Sequence, residues 1–304
     1  AYVGGLVGNN ASGTISYSAA DVDVTATGSD IYNNGSLYAM AGGVAGANTG
    51  TILQSHASGT VSGSGNNTGG FVGINSGASA TIVDSYATGK VEVLSGGSVG
   101  GLAGVNVGTV TRSYATGDVS GVSNVGGLVG INANGAAITT AFATGAVSGS
   151  ANLGGLVGLN TQAVISTTYA TGSVTGGSGV GGLIGNNYLG NTYGNTVANS
   201  YATGAVHGSS AVAGLIGSNY LLPNASGSVT ASFWNTETTG QSNGVTGTAV
   251  AGAIGVDTAG LKTLSTFTDV GWNIDGQGGT SSIWRIYEGQ TAPLIRYFMT
   301  GLTV

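Results

Sequence analysis

One string of residues recurs along the chain, and its recurrence restricts the fold more than any other property of the sequence. GGLVG or a close variant begins at Gly4, Gly42, Gly69, Gly100, Gly126, Gly154 and Gly181, and AGLIG begins at Ala213. The intervals are 38, 27, 31, 26, 28, 27 and 32 residues. Asn stands two residues past each closing glycine, at Asn10, Asn48, Asn75, Asn106, Asn132, Asn160, Asn187 and Asn219. A second string follows: SYATG at Ser85, Ser113 and Ser200, AFATG at Ala141 and TYATG at Thr168, with looser copies at Ser16 and Ser55. A unit of about 27 residues cannot bury a core alone, so its copies must stack.

Each unit reads as β structure. Gly supplies 61 of 304 residues and Pro 2. At that density a helix would lose about 1 kcal/mol per glycine, and the Gly-x-y period and proline of collagen are missing. Short runs rich in Val, Ile, Thr and Tyr lie between Gly, Asn and Ser clusters, which is the strand pattern. The expected fold is all-β: a right-handed parallel β-solenoid of about eight to nine coils with a C-terminal cap. Residues 1–232 form the repeats. Residues 233–304 carry all three tryptophans and eight of the sixteen charged residues, and are expected to form a terminal coil and a cap over the open sheet edge. The opening AYVGGLVGNN lies within a repeat and reads as a monomeric fragment of a longer chain.

Stacking turns recurring positions into columns about 4.8 Å apart. The eight asparagines are expected to form a ladder of side-chain amides. Tyr86, Tyr114, Phe142, Tyr169 and Tyr201, preceded by His56, form an aromatic column. It is read as an internal stack, because an exposed aromatic row invites aggregation. The other reading is an outward stripe that stacks on sugar rings. Strand alternation leaves this open: Asp84 shares parity with Ile82 and Tyr86, and a bulge would break that parity. The same register sets Asp84 beside Arg112 and Lys90 beside Asp118.

Composition narrows the chemistry. Five Lys and Arg in a chain of net charge −6 cannot build a phosphate-binding stripe, which argues against nucleic acid. Cysteine is absent, and no run of 18 apolar residues would span a bilayer as a helix. No Asp, Glu, Lys or Arg occurs between Val119 and Thr236, so catalysis by grouped carboxylates has no material there. The candidates that remain are a Ser–His–Asp set around His56 or His207, and a Ca²⁺ site from Asp21, Asp23 and Asp30, read as a solvated strand face. No cofactor is expected.

The unit VGGLVGxN…SYATGxVxG resembles the GLUG motif of large bacterial surface proteins, including filamentous-haemagglutinin-like exoproteins. The tail, SFWNTETTGQS followed by IWRIYEGQTAPLIRYFMTGLTV, is similar to segments that end such arrays in exoproteins of two-partner secretion systems. The resemblance implies a secreted or surface-displayed repeat domain. It also implies an outer-membrane transporter as partner and adhesion or biofilm contact with polysaccharide, host surfaces or neighbouring cells. The alternatives are a pure spacer in a large exoprotein and a polysaccharide-degrading β-helix enzyme.

Overall fold

A computed structural model describes residues 1–27, 39–189, 196–222, 227–277 and 281–299. Each repeat supplies strands to three faces of a coil. In a central repeat these are Val129–Ala133, Ala137–Ala143 and Val147–Gly154. Every strand on these faces pairs in parallel with its counterpart in the next coil, giving sheets of nine, fourteen and thirteen strands. The nine-stranded sheet takes one strand per coil. Its register matches motif to motif: Val129 with Val157, Ile131 with Leu159, Asn132 with Asn160. The chain is thus a parallel β-solenoid, with one repeat per coil.

The glycine pair makes the corner between two faces. A Cβ on Gly127 would run into the carbonyl oxygen of Gly155 in the next coil and approach the Ala143 side chain at 3.0 Å. Past the corner, Leu102, Leu128, Leu156 and Leu183 point inward against Ile82, Val110, Ile138 and Ile165, forming the main core. A second, smaller core runs beside it, built from valines such as Val99, Val119, Val125 and Val147 with Leu153.

The fourteen-stranded face carries a bulge in every coil. Gln54, Asp84, Arg112, Thr140, Thr167 and Asn199 all have φ between 48° and 57°, in the left-handed region. This extra residue breaks the two-residue alternation. Ile82, Ser85 and Ala87 therefore all face inward and are buried, whereas Tyr86 faces out. The buried serine holds the bulge. Ser85 Oγ donates to the Val83 carbonyl at 2.8 Å and accepts from the Ser55 N–H of the preceding coil at 3.2 Å. Ser113 repeats the pattern one coil on.

The asparagines meet at the end of the nine-stranded sheet. Each Nδ2 donates to the Oδ1 of the next residue, from Asn10 through Asn219, at 2.7 to 3.0 Å. All eight are buried, six of them completely. The remaining amide protons turn to corner carbonyls such as Gly50 O and Gly108 O, and the ladder ends on Thr248 O.

The C-terminal segment begins as the last strands of the solenoid. Val245–Gly247 and Ala253–Val256 add last strands to two sheets, and among the described residues each has one strand partner. The chain then forms a short helix, Leu264–Thr268, and a small sheet of Ile274–Asp275, Trp284–Arg285 and Leu294–Ile295, and packs along the outer flank of the fourteen-stranded face. No described helix is long and apolar enough to cross a membrane.

Two expected outcomes follow from the ladders and bulges. Asn132→Ala leaves the Asn106 and Asn160 amides short of a partner and lowers stability by about 1–3 kcal/mol. Exposed Ser150→Ala changes it by less than about 0.5 kcal/mol, and urea melts of the two variants separate them. Thr140→Asn has the opposite sign. Asn already occupies this slot two coils on, at Asn199, whereas a β-branched residue is strained there. Relieving the left-handed Thr140 raises stability by about 1 kcal/mol, read from the same melts.

Candidate functional site: an aromatic column under a strap

The bulge aims one ring per coil outward, and the register stacks the rings. His56, Tyr86, Tyr114, Phe142, Tyr169 and Tyr201 lie in one row with centroids 4.7 to 5.2 Å apart and planes within 10° of parallel. This corrects the expectation of an internal stack. The column stands outside the coil wall, because the left-handed residue before each serine reverses the parity of the two residues that follow. It is not an open stripe either.

The C-terminal strap covers it to different depths. Tyr201 is fully buried: its hydroxyl donates to the Pro293 carbonyl at 2.7 Å, and Trp284 lies 6.0 Å away. Trp284 also packs against Tyr169, while Phe298 meets Phe142 and Tyr114 edge-on at 4.9 and 5.6 Å. Tyr86 and His56 lie beyond the strap's ring contacts among the described residues. Burial lifts the phenol pKa of Tyr114, pushes that of Tyr169 up to about 12, and raises that of Tyr201 well above its ordinary value. These phenols are therefore neutral hydrogen-bonding groups at ordinary pH.

A polar latch fixes the far end of the strap. Arg112 binds the Asp84 carboxylate through Nε at 2.5 Å and through a terminal nitrogen at 3.1 Å. The Tyr297 hydroxyl donates to the same carboxylate at 2.7 Å, and the Arg112 guanidinium sits 5.3 Å from the centre of the Tyr297 ring. Burial by itself would raise the Asp84 pKa. The hydrogen bonds from Arg112 and Tyr297 and the Arg112 charge outweigh it and hold the carboxyl below its ordinary 3.8.

The column is poorly suited to stacking on sugars. Within the row each ring face is covered by the ring of the next coil, so between its two ends the flank presents ring edges. Recognition of a pyranose needs a free aromatic face, as cation recognition does.

The other candidate residues lie apart from this flank or do not assemble as expected. Asp21 and Asp23 stand in the corner between Ala19–Ala20 and Val24–Ala26, so they do not share a strand face. Their carboxylates accept from Ser58 Oγ at 2.6 Å and Thr60 N–H at 2.7 Å in the next coil. Asp30 lies outside the described residues. Among those residues no three His, Cys, Asp or Glu side chains form a metal-binding group. His56 Nε2 is 3.9 Å from Asp21 Oδ1, but the Ser58 hydroxyl bonds the same carboxylate. Such an order activates no serine, since a nucleophile needs the imidazole as its own acceptor. His207 is exposed, with Thr175 as its strand neighbour. Lys90 does not pair with Asp118. It binds Glu92, two residues on, at 2.7 Å, and Asp118 accepts the Ala146 N–H of the next coil.

Three features escaped the sequence reading. A second amide column joins Asn152 to Asn124 at 2.9 Å, and its 28-residue spacing was available as a signal. Tyr188 and Tyr220 stack on the asparagine face, each directly after a ladder asparagine. The strap latch had no local signal, because Tyr297 and Asp84 are 213 residues apart.

The latch gives a pH dependence with a definite sign. Its contribution is complete above 3.8, the ordinary value for Asp84, and is lost as pH falls through the lower folded value. On acidification below that range, hydrogen exchange in residues 291–299 is expected to accelerate. In Asp84→Asn it is already fast at neutral pH and loses this acid step. Equal protection of 291–299 in both proteins across the range would contradict the latch.

The family model of the GLUG motif matches residues 1–25 and 64–92, two segments that each contain a GGLVG-type corner and its asparagine. No curated protein and no solved structure matches the chain. In those two segments the chain is similar to GLUG-motif proteins, and its architecture is that of a β-solenoid repeat protein carrying GLUG motifs.

Proposed function

We propose that this chain is a non-catalytic repeat domain of a secreted or surface-displayed bacterial exoprotein, and that it serves as a stiff spacer. The observation that carries this reading is how completely the groups able to recognise a ligand are occupied by one another. The asparagine amides bond to asparagines, the buried serines to backbone, and the ring faces to rings. The strap then covers most of the one aromatic flank. The charge-free span from Ser120 to Phe233, three to four coils long, gives little for electrostatic attraction of a partner. Similarity to the GLUG motif supports placing the domain in an exoprotein, with export through an outer-membrane partner transporter as part of the same proposal.

A second reading, adhesive contact with polysaccharide, rests on the outer polar columns. Ser120, Ser148 and Thr175 follow one another in strand register on the thirteen-stranded face. Such a row would offer one hydroxyl per coil to a chain of sugars. The two readings part in a glycan array and cell-binding assay on the isolated domain. The spacer reading expects signals at background from a protein that remains folded and monomeric. Saturable binding to a polysaccharide, lost on Ser148→Ala or Thr175→Ala, would replace it with the adhesive reading.

A further inference from the structure

We propose that Tyr188 and Tyr220 form an oxidative cross-linking site, at which a dityrosine bond joins two consecutive coils. The two residues are register partners on adjacent strands, Ile184–Leu189 and Ile216–Leu221. Their rings stack with centroids 5.3 Å apart and planes 15° from parallel. Each follows a ladder asparagine, and the hydrogen bond that Asn187 Nδ2 donates to Asn219 Oδ1 at 2.9 Å fixes the backbone beneath them. Tyr220 is 52% exposed, so an oxidant reaches its ring. The chain has no cysteine, and this pair offers it a covalent tie between coils that needs no thiol.

The chemistry balances with a peroxide and a haem peroxidase, or an equivalent one-electron oxidant, as co-reactant. Each phenol loses one electron and its phenolic proton. The two phenoxyl radicals couple through the ring carbons ortho to oxygen, and one C–C bond forms. The two hydrogens on the coupling carbons then move to the oxygens, restoring both phenols. Two tyrosines and one hydrogen peroxide give one dityrosine and two waters. Coupling requires the rings to turn so that ortho carbons meet, the exposed Tyr220 ring moving against the half-buried Tyr188. The tyrosines of the aromatic column are held differently. Phe298 holds the Tyr114 edge, Phe142 interrupts the row, and Tyr201 is buried. Tyr2 is exposed but has Met40, and no tyrosine, as its register partner. The new bond would close a loop between residues 32 apart in sequence and so restrict the unfolded chain, as a disulfide does.

The test is photo-oxidation of the whole chain at low micromolar concentration with ruthenium tris-bipyridyl, persulfate and visible light, repeated with peroxidase and hydrogen peroxide. The expected product is a monomer with dityrosine fluorescence and a mass lower by two hydrogens. Digestion yields one linked peptide pair carrying Tyr188 and Tyr220. Tyr220→Phe and Tyr188→Phe each abolish that product, whereas Tyr86→Phe leaves it unchanged. The oxidised native chain also unfolds at higher denaturant than oxidised Tyr220→Phe. Dityrosine confined to covalent dimers, linked peptides carrying other tyrosines, or an undiminished monomeric product in Tyr220→Phe would overturn the proposal.

Discussion

Parallel, in-register stacking places every residue of one coil about 4.8 Å from the equivalent residue of the next. A side chain is therefore selected largely for how it behaves beside a copy of itself. A primary amide donates and accepts, so asparagine repeats without limit. A planar ring stacks on a ring. Leucine and valine pack on their own kind. A charge does not, because like charges opposite one another on neighbouring strands repel. This accounts for a chain that is 5% charged. It also accounts for the one close cross-coil carboxylate–guanidinium pair described above, Asp84 with Arg112, in which adjacent coils carry opposite signs at one position.

The same constraint decided what could be read in advance. The coil, its one-repeat period and the asparagine column follow from identity at fixed spacing, and stacking needs no other information. The direction in which the tyrosines point does not follow. It depends on the backbone of a single residue per coil, and that residue is Gln, Asp, Arg, Thr or Asn in different repeats. No shared side chain marks the bulge. What recurs is a small residue after it, serine in most coils but Ala141 and Thr168 in two, and only the structure reveals that the serine hydroxyl bonds back across the bulge. Non-repeating parts were less legible still. The strap's path is set by where a one-copy aromatic segment finds apolar surface, and no period announces that.

The strap also changes what the column can do. A row of outward rings would be an adhesive or aggregation-prone stripe if left bare. Here Trp284, Phe298 and the Pro293 carbonyl occupy its edges, and the Asp84–Arg112–Tyr297 contacts hold the far end down. The tail thus protects a flank and adds a nonlocal tie across several coils of a structure otherwise held by nearest neighbours. That arrangement fits the spacer role proposed above.

The account stands on direct coupling between identical residues in successive coils, and a double-mutant cycle on the asparagine ladder measures it. Asn132→Ala, Asn160→Ala and the double variant form one cycle, and Asn48→Ala with Asn160→Ala forms the control. Denaturant unfolding gives the free energies. Adjacent rungs are expected to couple by about 0.5–3 kcal/mol, and the separated pair to be additive within about 0.5 kcal/mol. Additivity of Asn132 and Asn160 would contradict the ladder, and with it the one-repeat-per-coil register from which the rest of the structure follows.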